Sequence, residues 1–313
     1  MIGLGVLYAL LSTFSFSINQ VSVRRGMLSG SAAQGVYVSV LLGTPILLLI
    51  AIVTTQLFQL KMISLEAYLW LASAGVAHFI FGRYTNYRTV GALGAIRARP
   101  VIQMGFLVSI AFAVIWLKED ITGIMWVGIA LVTVAPMLLY LHRNANQSVI
   151  PRNAGLPKVS SDLVSPPRSK LVEGYLFGAI NAVIFGFTPL MVRQGLIDSD
   201  GLGVLGAFVA YSGAALVLIP TLLFPGVRRA LAGIDRSSGR WFVSATTAVL
   251  MAQMFHFLAL SVAPVSLVMP IQRAGSVFLL PMSYLINRQA ESFEPRILFA
   301  IAVSITGSLI IVL

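Results

Sequence analysis

The chain has 313 residues, 58% hydrophobic and 10% charged, with a mean hydropathy of +0.92 and a formal net charge of +11. Soluble domains run nearer a quarter charged, so a water-soluble core is excluded, and the absence of cysteine excludes disulfides, thiolate metal sites and a cysteine nucleophile. The basic residues are scattered over short loops and helices without an aromatic-interleaved surface, which argues against nucleic acid and for a membrane topology signal.

Apolar runs of about 20 residues, each long enough to cross about 30 Å of hydrocarbon, recur from end to end. They predict ten helices: 2–22, 34–55, 67–87, 90–115, 121–141, 171–192, 203–224, 241–260, 263–286 and 295–313. The first run has no basic leader region and no clear small-residue cleavage site, so it reads as a membrane helix rather than a signal peptide. Helices three and four are separated only by a short stretch around Arg88–Gly91. Residues 142–170 are polar and rich in Pro and Ser, the composition of a linker. The predicted fold class is therefore an all-α integral membrane protein, with helices in 1–141 and 171–313 on either side of that linker.

Sliding the second half back by about 170 residues aligns it with the first. Val23-Arg24-Arg25-Gly26-Met27 falls on Val192-Arg193-Gln194-Gly195-Leu196, Pro100 on Pro270, and Leu117-Lys118-Glu119-Asp120 beside Asn287-Arg288-Gln289-Ala290. An odd number of spans per half forces the halves to insert with opposite orientation. Two inverted five-helix repeats are the expectation, with a substrate site near the midplane between them and transport by alternating access.

The five-plus-five pattern, the Lys118-Glu119-Asp120 turn, Pro100 and Pro270, and the closing stretches around Gly128 and Gly307 resemble the EamA-type members of the drug/metabolite transporter superfamily. The second half departs from the acidic turn, with Gln289 at the counterpart of Glu119 and Glu291 slightly later. The resemblance implies a central cavity lined by helices one, three, four, six, eight and nine, with five and ten behind. It further implies a multi-pass protein of a bacterial inner membrane that works on a small molecule in efflux or exchange, with both termini in the cytoplasm. A homodimer stays among the assemblies open to it, and no cofactor is implied.

All ten acidic residues lie in loops or at helix ends. Arg83, Arg88, Arg97, Arg99 and Arg273 instead fall within or beside helices three, four and nine, where a central arginine costs about 2.5 to 3.5 kcal/mol on insertion scales. Arg83 and Arg88 stand near a helix end, where snorkelling to the headgroups is the ordinary reading. Arg273 and Arg99 stand deeper, with Arg97 between the two cases. Arg83 and Asn86 align with Gln253 and His256, and Arg99 and Gln103 with Met269 and Arg273, so both halves place polar groups at matched depths.

Guanidinium groups without a protein counter-charge point to a ligand that brings one: a carboxylate, phosphate or sulfonate. The candidate substrate-binding set is Arg273, Arg99, Arg97, Arg83, Gln103, Gln272, His256 and Asn19, with Pro100 and Pro270 as helix breaks facing the cavity. Asn181 and Thr188 add polarity to helix six, with interhelical hydrogen bonding as the plain alternative. His78 and His256 read as hydrogen-bonded packing residues, which leaves no buried carboxylate relay and favours facilitated transport or exchange over proton symport.

The expected function is a secondary transporter of a small anionic or zwitterionic metabolite. A flippase for a lipid-linked anionic substrate is the alternative, should the arginine cluster open sideways to the bilayer. An intramembrane enzyme is disfavoured by the lack of Cys, of buried Asp or Glu, and of HExxH or GxSxG motifs. Lys and Arg concentrate in the odd-numbered loops, which by the positive-inside rule places those loops in the cytoplasm and the termini outside, opposite to what the resemblance implies.

Overall fold

In lipid every backbone N–H and C=O must be satisfied within the chain, and for apolar runs of this length a helix achieves that locally. The computed structural model describes residues 2–105, 107–109, 111–112, 123–124, 126–128, 130–131, 134, 168–197, 201–263, 267–268, 271–272, 275–290 and 295–310, and its regular elements are all helical. Among the described residues six helices are long and apolar enough to cross a membrane: Gly3–Gly26, Ala32–Val53, Leu65–Leu93, Arg168–Leu196, Gly203–Thr221 and Arg236–Val262. Two shorter apolar helices, Val277–Asn287 and Leu298–Gly307, follow. The expected fifth helix and most of the linker lie outside the described residues.

In chain order the elements are α1 (Ile2–Gly26), α2 (Ala32–Val53), a 3₁₀ turn (Gln56–Met62) and α3 (Leu65–Gly75). A π-helical turn (Val76–Gly82) joins α3 to α4 (Arg83–Leu93), and α5 (Ala95–Gln103) follows. The second part holds α6 (Arg168–Leu196), α7 (Gly203–Thr221), α8 (Pro225–Ala232), α9 (Arg236–Val262), α10 (Ser276–Asn287) and α11 (Pro295–Ile310). Ser31 opens α2 through a capping box with Gln34, and Asp235 opens α9 by accepting from the backbone of Ser237 and Ser238. Both supply acceptors to otherwise orphaned N–H groups.

Three expected boundaries are corrected. The third span runs unbroken to Leu93, past the expected division at 88–91, and ends at Gly94, whose φ of +87° lies in the left-handed region that favours glycine. The fourth helix opens at Ala95 rather than at residue 90, with Pro100 inside it as expected. The helix of the second half starts at Arg168, inside the segment expected to be linker.

Large apolar side chains point outward all along the spans, among them Leu4, Leu49, Leu69, Leu216 and Leu285, while Ser12, Ser39, Arg83, Thr89, Gln103 and Asn181 are buried. That polarity is the reverse of a soluble protein's and fits lipid as the surrounding solvent. The packing follows a reciprocal scheme: α1 lies on α9 as α6 lies on α4, α1 touches α10 as α6 touches α5, and α2 touches α9 as α7 touches α3.

The same reciprocity holds atom by atom. Ser12 Oγ donates to the Ala252 carbonyl at 2.8 Å, and Asn181 Nδ2 donates to the Gly82 carbonyl at 2.6 Å. Arg24 Nη1 donates to the carbonyls of Val90 and Gly91, and Arg193 Nη1 to that of Leu260. A Cβ on Gly26 would stand 2.6 Å from the Phe242 ring, and one on Gly195 2.7 Å from Leu71.

Two ends are distinguishable. Ser29 bonds to Asp235 and Ser238, and Gln34 to the Ala230 carbonyl, so the turn after α1 and the segment holding α8 share one end. Gln56 bonds to Gly201 and Leu205 at the other end. The first end carries Arg24, Arg25, Arg228, Arg229 and Arg236.

Candidate functional site

The π-helical turn widens the third span where two glycines flank it. A Cβ at Gly75 would fall 1.8 Å from the Ala210 carbonyl oxygen of α7, so only glycine lets these backbones touch. One consequence is the placement of His78 at the interior, its ring stacked on Phe185 at 4.3 Å between centroids. Short π-helical insertions occur frequently at functional sites.

His78, Thr188, Gln253 and His256 line one small cavity enclosed by α3, the π turn, α6, α7 and α9, with Phe79 and Phe257 among its apolar walls. His78 Nδ1 lies 2.9 Å from Thr188 Oγ1, and His78 Nε2 lies 2.9 Å from Gln253 Nε2. An amide nitrogen only donates, so with the Gln253 amide placed this way His78 Nε2 accepts, the ring is neutral, and Nδ1–H donates to Thr188. Gln253 Oε1 is buried without a partner among the described residues.

A second chain of contacts adjoins the first through His256. Gln272 Nε2 is 2.6 Å from His256 Nδ1 and donates to Ser12 Oγ at 3.0 Å, and Arg99 Nη2 donates to the Gln272 carbonyl at 3.0 Å. Of the candidate residues, Arg99, Gln272 and His256 are thereby brought together. Arg97 and Gln103 share α5 with Arg99 and have interactions within the protein. Arg273 and Pro270 lie outside the described residues.

Arg83 is not at the headgroups. It is 3% exposed, bonded to Ser39 Oγ and, at 2.9 Å, to Tyr211 Oη, with its guanidinium carbon 4.8 Å from the Phe79 ring centre and 5.4 Å from that of Tyr211. This overturns snorkelling for Arg83: hydroxyls and ring faces from α2, α7 and the π turn hold the cation inside. Arg88 is also held by protein, since Nε donates to Glu173 Oε1 at 2.8 Å and Nη1 to Tyr84 Oη at 3.0 Å. Asn19 spends its amide on the Ala245 carbonyl at 2.9 Å, an interhelical tie between α1 and α9.

Sequence reasoning missed Ser12, Ser39 and Tyr211, which are ordinary residues of apolar helices with no local mark. It did place Gln253 and His256 at depths matched by Arg83 and Asn86. Among the described residues no three His, Asp or Glu side chains converge as a metal site.

Residues 3–141 match the model of the EamA-like transporter family. No curated protein matches the sequence. A protein of known crystal structure aligns with a TM-score of 0.56 at 13% identity, covering 99% of this chain and 95% of its own. That likeness speaks for the fold alone, and it extends over the second half, beyond the residues that the family model matches.

Proposed function

We propose that the chain, whose residues 3–141 match the model of the EamA-like transporter family, is a secondary transporter of a small anionic or zwitterionic metabolite, exporting or exchanging it by alternating access. The observation that carries the substrate class is Arg99. Its Nη2 donates to a neutral carbonyl, that of Gln272, and its Nε is buried without a partner among the described residues. A carboxylate or phosphate presented to this guanidinium supplies the missing acceptor and charge together. His256, Gln253, His78 and Thr188 line the adjoining small cavity, which is linked to Arg99 through Gln272, and add donors and acceptors of the kind that orient a small polar solute.

Ten spans in two inverted repeats is the architecture that goes with this reading. It is supported by the reciprocal contacts, in which residues about 170 apart in sequence make the same bond to carbonyls about 170 apart. Each first helix leans on the third span of the other half, so a rocking of one half against the other would open one end as it closes the other.

The test is thermal stability of purified protein against anionic, zwitterionic and cationic metabolites, followed by exchange in proteoliposomes with the solutes that stabilise it. Binding to the folded state raises apparent stability by about 2.7 kcal/mol at a hundredfold excess over Kd. Arg99→Gln should abolish the stabilisation by anionic solutes, and Arg99→Lys should retain part of it, since charge persists without the planar fork. Stabilisation by cationic solutes alone, unaffected by Arg99→Gln, would falsify the assignment.

A further inference from the structure

We propose that the seam between α1 and α10 is the closed passage by which the solute moves between the central cavity and the basic end; this rests on the transporter reading and names its route. Gly275, Leu279, Ser283 and Asn287 recur every fourth residue on one face, and all four are buried. That face meets α1. Ser17 Oγ donates to the Gly275 carbonyl at 3.0 Å, Asn287 Nδ2 to the Val21 carbonyl at 3.0 Å, Arg24 Nη2 to the Ala290 carbonyl at 2.9 Å, and Arg25 to the Ile286 carbonyl. At its inner end Arg99 Nη2 lies 2.6 Å from where a Cβ on Gly275 would stand.

Five buried polar atoms on α1, α10 and the adjoining α4 and α5 have no partner among the described residues: Gln20 Oε1 on α1, Ser283 Oγ and Asn287 Oδ1 on α10, Asn86 Nδ2 on α4 and Arg99 Nε on α5. Gln20 joins the strip to α4 through its 3.3 Å bond to Asn86. Native interiors leave few such atoms unpaired, and within a membrane, polar groups are placed where they face one another or an aqueous cavity. An interface built only to hold two helices together would gain by replacing Ser283 with alanine. Polar atoms held in register but unpaired in the closed form suit a wall that water and solute touch when the seam parts.

The counterpart in the first half lacks this character: about 170 residues earlier, Ala113 and Leu117 stand where Ser283 and Asn287 stand. The polar strip thus belongs to one end, and that end carries Arg25 and the exposed Arg288, whose charge concentrates anions at the mouth. Opening requires α10 to leave α1, which breaks side-chain bonds to carbonyls and no backbone ladder.

The cysteine-free chain makes the test direct. Single-cysteine variants Ser283→Cys and Gln20→Cys, one on each wall, are reconstituted in vesicles with two controls. Leu285→Cys lies on the opposite face of α10, 80% exposed, and Ala214→Cys lies in the packed core of α7. A membrane-impermeant anionic methanethiosulfonate is added to both faces and modification is followed by mass. Both seam cysteines should react about tenfold or more faster than both controls, because modification follows thiolate character and exposure to water. Seam cysteines as slow as Ala214→Cys overturn the passage. Gln20→Cys keeps the test decisive if Ser283→Cys fails to fold. Solute exchange measured on the same vesicles reports separately on the transporter reading.

Discussion

The contact of α1 with α9 and that of α6 with α4 use the same construction with different residues. Ser12 and Asn181 each reach the carbonyl of a residue in the opposing third span, the first with a hydroxyl and the second with an amide that also bonds Thr85 Oγ1 at 3.2 Å. Gly26 faces Phe242 as Gly195 faces Leu71. The terminal arginines differ more: Arg24 spans carbonyls of Val90, Gly91 and Ala290, whereas the bond found for Arg193 is to Leu260. Backbone position persists while the side chain that answers it changes, because a helix carbonyl accepts from any donor of suitable reach.

Removing the terminal arginines breaks the comparison hardest. Arg24→Ala should lower unfolding stability in detergent by about 2 kcal/mol, as several charged bonds are lost and partly offset by relief of a buried charge. Arg193→Ala should cost about 1 kcal/mol. Equal losses would mean that the additional carbonyls reached by Arg24 contribute nothing net.

Gly26→Ala and Gly195→Ala come next. Each new methyl meets a side chain at under 3 Å, and such overpacking costs about 1 to 3 kcal/mol. Gly26→Ala should be the worse: both neighbours are fully buried, but the new methyl meets three atoms of the rigid Phe242 ring at 2.6 to 3.3 Å, whereas Leu71 presents a branched chain with more rotamers at 2.7 and 3.0 Å. Thermal unfolding of the two variants side by side decides it.

Asn181→Ala and Ser12→Ala should be milder, about 1 and 0.5 kcal/mol, in line with hydrogen bonds between membrane helices. A double-mutant cycle pairing Asn181 with Thr85 sharpens the comparison: coupling is expected, and its absence would reduce Asn181 to the Gly82 bond alone.

The smallest effect lies outside the membrane, at the cap of α9. The Asp235 carboxylate is lowered to about 2, first by the Ser238 backbone N–H, then by the Ser29 and Ser238 hydroxyls. Its folded value lies below its unfolded one, so its contribution is present above the ordinary carboxylate value of 3.8 and is lost as pH falls toward 2. Asp235→Asn keeps a capping oxygen and should flatten the pH dependence of Tm in that window while changing Tm little at neutral pH.

How much of this was legible beforehand varies with the range of the interaction. The spans at 34–55 and 203–224 were plain from hydropathy because length and apolarity are local. The division at 88–91 was misplaced because Arg88 and Thr89 look like a loop, although Arg88 is paired with Glu173 on α6 and Thr89 bonds its own helix at the Thr85 carbonyl. The Arg83 cage was out of reach for the same reason: Ser39 and Tyr211 lie far from it in sequence, and nothing in their neighbourhoods marks them.

By itself the sequence determined that the chain is a helical membrane protein, that residues about 170 apart repeat one pattern, and that several arginines stand within apolar segments. These are properties of composition, period and offset, and lipid enforces them segment by segment. Only the tertiary structure decided which cations are held by neutral groups and which hydrogen bonds join Arg99, Gln272, His256 and Ser12. It alone showed that Gln20 on α1 and Ser283 and Asn287 on α10 hold buried polar atoms without a partner among the described residues. Those outcomes depend on which helix faces meet, and a contact between residues more than a hundred positions apart leaves no periodic trace in either segment.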